Sequence, residues 1–171
     1  MKGNSYGIAT AEPNLPPMGY VGYFSVPGMI SRSLPRAYHL TGDEKYLSAA
    51  VLSCQFAAGA NPDNMCLTSG LGPNPATGVL HVDARNSGQP APPGITVYGP
   101  SDPAARFAFD AWVYQWIVNK STTTPDARTW PAYESYWDIG AAPYMNEYTV
   151  TQTMMPTAYT WGFLAARAAL E

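Results

Sequence analysis

The side chains best suited to chemistry fall in two places. The first is Asn146-Glu147, where a glutamate stands among Tyr144, Met145 and Tyr148. Removing water from around a carboxyl favours its protonated form, so a glutamate in such company is a candidate general acid. The plainer account is a surface glutamate near the start of a helix, favoured there by the helix dipole. The second place holds His81, Asp83 and Arg85. In an extended segment alternate residues project to one side, so these three would share a face of donors and acceptors suited to a hydroxyl-rich ligand. The competing account is an Asp83–Arg85 ion pair that steadies a loop. The other histidine, His39, lies in a helical pattern, so no metal site and no cofactor are expected. Neither a Walker loop, nor a dinucleotide fingerprint, nor a Ser-His-Asp order is present.

A third set is aromatic: Trp130, Tyr133, Tyr136, Trp137 and Tyr144. Such rings either stack on the C–H faces of sugars or fill the core. The whole chain leans the same way, with 12 Tyr and 5 Trp against only 12% charged residues. That balance suits neutral, flat-faced ligands, of which sugars are the obvious class. A net charge of −3 with only 9 Lys and Arg argues against nucleic acid, which needs a basic stripe. No apolar run reaches the roughly 18–20 residues of a membrane span, and no apolar signal-peptide core follows Met1. Cys54 and Cys66 are too few for a disulfide framework or a zinc site. They are expected as small free hydrophobes, with a bridge between them left open.

The positioning elements are helices and long loops. A chain of 171 residues fits one domain. Residues 1–24 read as loop. Ile30, Leu34, Ala37 and Tyr38 fall at helical spacing from about residue 25 to 40, with Pro35 expected to kink or split the helix. Gly42 is a fitting helix terminator and Asp43 a fitting N-cap for a second helix over 44–59. Its apolar stripe is expected to be Tyr46, Leu47, Ala50, Val51, Cys54, Ala57 and Ala58. From 61 to 102 glycine and proline recur every few residues. A loop this long is ordinarily functional, and it holds His81, Asp83 and Arg85. A third helix is expected over 103–119. The last helix should become regular near Met155, because Pro156 suits a first turn, leaving Glu147 on the approach or in a preceding turn.

Taken together, the order Tyr38-His-Leu-Thr-Gly-Asp-Glu-Lys-Tyr-Leu47, Gly59-Ala-Asn-Pro62, Thr68-Ser-Gly-Leu-Gly72, Pro73-Asn-Pro75, His81 and Asn146-Glu147-Tyr-Thr149 resembles the C-terminal part of glycoside hydrolase family 9. These are cellulase-type enzymes. The resemblance implies an all-α fold, a partial (α/α)6 barrel in which the chain forms one incomplete portion of a catalytic domain. It implies inverting hydrolysis of β-1,4-glucan or cello-oligosaccharides, with Glu147 as general acid and His81, Arg85 and Tyr144 as substrate-binding residues. Export to the periplasm or beyond the cell is implied by the resemblance alone. Asp138, nine residues before Glu147, and Thr149, two after it, match the family pattern. Pro143 stands where an aromatic is expected, with Tyr144 one place late, and Thr153 stands where the motif has Asn. The family's general base lies in an Asp-Ala-Gly-Asp motif that this sequence lacks. Inversion needs two carboxyls roughly 6.5–9.5 Å apart. Asp83 and Asp138 are available, but neither matches the base. The isolated chain is therefore expected to be inactive, and to need the missing part of the barrel or to self-associate. A non-catalytic carbohydrate-binding or interaction module is the alternative.

Overall fold

A computed structural model describes residues 32–100, 129, 134–140 and 145–168. The helix expected over 103–119 lies outside the described residues, as do Trp130, Tyr133 and Tyr144. The regular structure among the described residues is helical: α1 (Ser33–Thr41), α2 (Glu44–Ala57), a short α3 (Val82–Ser87), and α4 (Met155–Ala168). A π-helical turn, Val150–Met154, leads directly into α4.

Helix α1 is described from Ser33, residues 25–31 of the expected helix lying outside the described residues, and it runs unbroken through Pro35 in its first turn. Proline is tolerated in a first turn because the N–H it lacks has no intrahelical acceptor there. The helix ends as expected at Gly42, whose φ of 67° lies in the left-handed region and whose N–H reaches the Tyr38 carbonyl at 2.7 Å. Asp43 then caps α2, accepting from the Lys45 N–H at 3.1 Å, and α1 and α2 form a hairpin. Helix α4 packs on both members. Tyr38 joins α1 to it through an edge-on contact with Phe163 and a hydrogen bond from Arg167.

The buried face of α2 is Ala50, Ser53, Phe56 and Ala57. The stripe expected through Val51 and Ala58 is therefore turned by part of a rotation, and Val51 is exposed. Phe56 is the reason: a large apolar ring has more to gain from burial than valine or alanine. It shares one buried cluster with Leu67, Ala76, Val79, Ile95, Val97, Tyr136 and Met145, all supplied by loops, against which Trp161 of α4 also packs.

Those loops hold together because their backbone polar groups are paired. Cys66 bonds both Asn74 and Ala76, and Leu67 bonds Ala57 and Val97. Ser69 is paired to Ile95 through backbone and side chain alike. Asn61, of the Gly-Ala-Asn-Pro element, donates to the carbonyls of Phe56 at 2.7 Å and Met65 at 2.8 Å, closing the end of α2 onto the first loop. Cys54 and Cys66 are both free.

Candidate functional site

The Asn146-Glu147 segment is clamped from two sides by main-chain hydrogen bonds. The Asn146 carbonyl accepts from the Leu80 N–H at 2.8 Å. On the other side, Tyr98 N–H donates to the Glu147 carbonyl at 2.9 Å and Gly99 N–H to that of Met145 at 3.0 Å. The Leu80 bond sets His81 beside Glu147, although the two are far apart in sequence. A groove of ≈ 680 Å³ opens between them, lined by His81, Asp83, Tyr98, Glu147, Tyr148 and Thr149 together with Leu80, Val82 and Val150.

His81, Asp83 and Arg85 do not lie along an extended segment. His81 is the N-cap of α3, which carries the other two. The cause is local: the imidazole Nδ1 accepts the Ala84 N–H at 3.1 Å and so satisfies an otherwise unpaired helix-end donor. That bond also fixes the neutral ring's proton on Nε2, making the second nitrogen a donor. The ring lies parallel to Tyr148, 5° between planes and 6.2 Å between centroids. Asp83 lines the groove and is exposed. Arg85 is not among the lining residues; its guanidinium donates to the Gly140 carbonyl at 3.2 Å. No Asp83–Arg85 ion pair is found among the described residues, where Lys45–Asp43 on the surface is the pair recorded. Glu147 is half-buried at the groove wall, and Tyr144 lies outside the described residues.

Behind the groove sits Asp138. One carboxylate oxygen accepts from the Thr77 N–H and hydroxyl, each at 2.8 Å. The other accepts from the Gly78 N–H at 2.7 Å and the Tyr136 hydroxyl at 3.2 Å. Gly78 is glycine for a steric reason: a Cβ there would stand 2.5 Å from the Asp138 carbonyl carbon and 2.6 Å from the Gly140 nitrogen. Asn146, fully buried, donates to the Trp137 carbonyl at 2.8 Å and to the Tyr136 hydroxyl at 3.2 Å. Tyr136 is a core residue, and Trp137 packs half-buried against the same core, so these two rings are packing elements and not free platforms.

The approach to α4 is capped reciprocally. Thr149 accepts from the Gln152 N–H at 3.1 Å, and the Thr153 hydroxyl accepts from the Thr149 N–H at 3.1 Å. Tyr98 donates to Gln152 and so ties the cap to the groove wall. Thr153, the departure from the family motif, thus closes the cap that holds the residues just after Glu147. The Gln152 and Tyr98 contributions lie outside the residues that the sequence marks for chemistry. The Thr-x-x-Gln spacing at 149–152 is a helix-start signature that could have flagged the first.

No protein-family model matches the chain, and no curated protein matches it by sequence. By structure it is similar to a metagenome-derived glycoside hydrolase family 9 endoglucanase in its crystal structure. The TM-score is 0.50 at 22% identity, over 80% of this chain and 21% of that one. The chain thus spans about a fifth of the length of the structure it matches. At this identity the likeness is one of fold: the chain is all-α, a partial (α/α)6 barrel of helical hairpins joined by long loops. Among the described residues no helix is long and apolar enough to cross a membrane, and no cluster of His, Cys, Asp and Glu could hold a metal ion.

Proposed function

We propose that the groove is the acid side of a glycoside-hydrolase cleft that cleaves β-1,4-glucan or cello-oligosaccharides with inversion. The supporting observation is the Leu80–Asn146 hydrogen bond, which sets Glu147 and His81 on facing walls of one sugar-sized groove. Glu147 gives its proton to the glycosidic oxygen as the bond from that oxygen to the anomeric carbon breaks. A water then attacks the anomeric carbon from the opposite face and loses its proton to a carboxylate base. His81, with Nε2–H as donor, holds a sugar hydroxyl, and Tyr148 backs the imidazole. Arg85 serves the same wall by securing the Gly140 loop, and Tyr144 belongs to the substrate-binding set as an aromatic contact.

The family's base motif is missing from this sequence, so the chain alone turns over little or no substrate. The remaining helices of the barrel, or a second copy, would complete the cleft. Export from the cytoplasm goes with this reading. Titrating the chain with cellotetraose while following tryptophan fluorescence tests it: saturable quenching is expected, and Glu147→Gln should weaken it. Adding the barrel's remainder should restore hydrolysis of soluble cellulose, with Glu147→Gln abolishing it. Absence of any sugar binding sinks the proposal. Binding that ignores Glu147→Gln supports the second reading, a non-catalytic carbohydrate module, which the presence of an acid without the family's base favours.

A further inference from the structure

We propose that Tyr136 is a positioning residue for Glu147, and that Asp138 acts through it rather than as the second reacting carboxylate. The inference rests on the reading of Glu147 as the acid. Asp138 does not line the groove, and both of its oxygens are taken up by protein donors, two on each. A carboxylate so engaged has little freedom to accept a proton from water.

Its position explains what it does instead. The Thr77-Gly78 segment that it grips runs through the core residue Val79 into Leu80 and His81, which line one wall of the groove. Through the Tyr136 hydroxyl it also reaches the other wall. That hydroxyl has one proton and spends it on Asp138; its lone pair then receives the Asn146 N–H. Donation to a charged acceptor polarises the hydroxyl and strengthens what it accepts. Both N–H bonds of the buried Asn146 side chain end on Tyr136 and Trp137, and the main-chain carbonyl of Asn146 accepts from the Leu80 N–H. Glu147 follows directly in the chain. One carboxylate thus fixes both walls relative to each other, and the tyrosine hydroxyl is the link to the acid's side. Burial, and then the Asp138 charge, hold the Tyr136 phenol well above its ordinary range, so it remains a donor at any working pH.

The test uses the full chain with its glutamate carboxyls labelled with carbon-13, the Glu147 resonance being assigned by its loss in Glu147→Gln. Tyr136→Phe removes the link and keeps the ring in the core. It should shift or split the Glu147 resonance and lower cellotetraose affinity about fivefold to tenfold. Thr77→Val removes one Asp138 donor but keeps the link, and should cost stability while leaving the Glu147 resonance in place. If Tyr136→Phe does not fold, Asp138→Asn weakens the same relay from its far end, and the same shift is expected. An unmoved Glu147 resonance in the folded link variant, or an equal shift in Thr77→Val, overturns the proposal. If the wild-type chain fails to bind cellotetraose while the resonance still responds to the link, the glycosidase reading fails and the positioning role stands.

Discussion

Single residues decide this site through what they exclude as much as through what they contact. Gly78 lets the backbone of residues 138–140 lie directly on it, and any side chain would force that loop outward. Gly78→Ala should destabilise the chain by about 3 kcal/mol in urea denaturation, and sugar binding should weaken with it. An alanine variant of wild-type stability would show that the close approach is dispensable. Asp63 presents a different case. Burial, aided by the Glu134 charge, pushes its carboxyl up from 3.8 to about 6, and one oxygen is buried without a hydrogen-bond partner. A folded-state value above the unfolded one means that the contribution of Asp63 to stability is greatest below about pH 4 and is lost as pH rises through about 6. Asp63→Asn should therefore raise Tm at about pH 8 and make little difference near pH 4. The reverse pattern would place a stabilising partner on Asp63. Cys54 is silent by the same physics: burial pushes its thiol up to about 12, so native-state alkylation should be negligible and appear only on unfolding.

At the scale of elements, the entry to α4 shows how an irregular turn holds the segment that carries Glu147. Pro156 cannot donate to the carbonyl one turn back, and the wide turn over Val150–Met154 brings the chain into Pro156 without a regular helix before it. Thr153 closes that turn, donating to the Thr149 carbonyl at 2.9 Å while accepting its N–H. Thr153→Val keeps the shape but strands the Thr149 N–H, and should cost about 2 kcal/mol by thermal or urea unfolding. Thr153→Asn, the motif's residue, should recover part of that loss. The short α3 has a similar logic, since its N-cap is His81 itself. Replacing His81 therefore perturbs a helix start as well as any sugar contact, and binding data for such a variant must be read beside its stability.

At the scale of the molecule, the helical hairpin leaves apolar residues in water. Leu40 is 81% exposed, and Val51 and Leu52 on α2 are 36% and 38% exposed. Faces of this kind are covered in a complete ring of hairpins by the next hairpin. The chain alone should self-associate in sedimentation velocity runs, and Leu40→Glu should reduce the association. A strict monomer across a wide concentration range would mean that this face is not a contact. The core itself is built from Phe56 and Ala57 of α2, from the loops over 61–100, and from Tyr136 and Met145. Those loops are therefore as much scaffold as site.

The sequence by itself determined whatever depends on near neighbours. The Gly42–Asp43 junction, the start of α4 at Met155 and the placement of Glu147 ahead of the last helix follow from local backbone preferences, which short-range residue types encode. It did not determine which way α2 turns, because that depends on the distant Leu67, Val97 and Met145 that receive Phe56. Nor did it reveal that His81 caps a helix, that Arg85 turns to Gly140, or that Asp138 is fully occupied. Hydrogen bonds of that kind join segments many residues apart, and no local pattern records which donor a carboxylate will meet once the chain has folded.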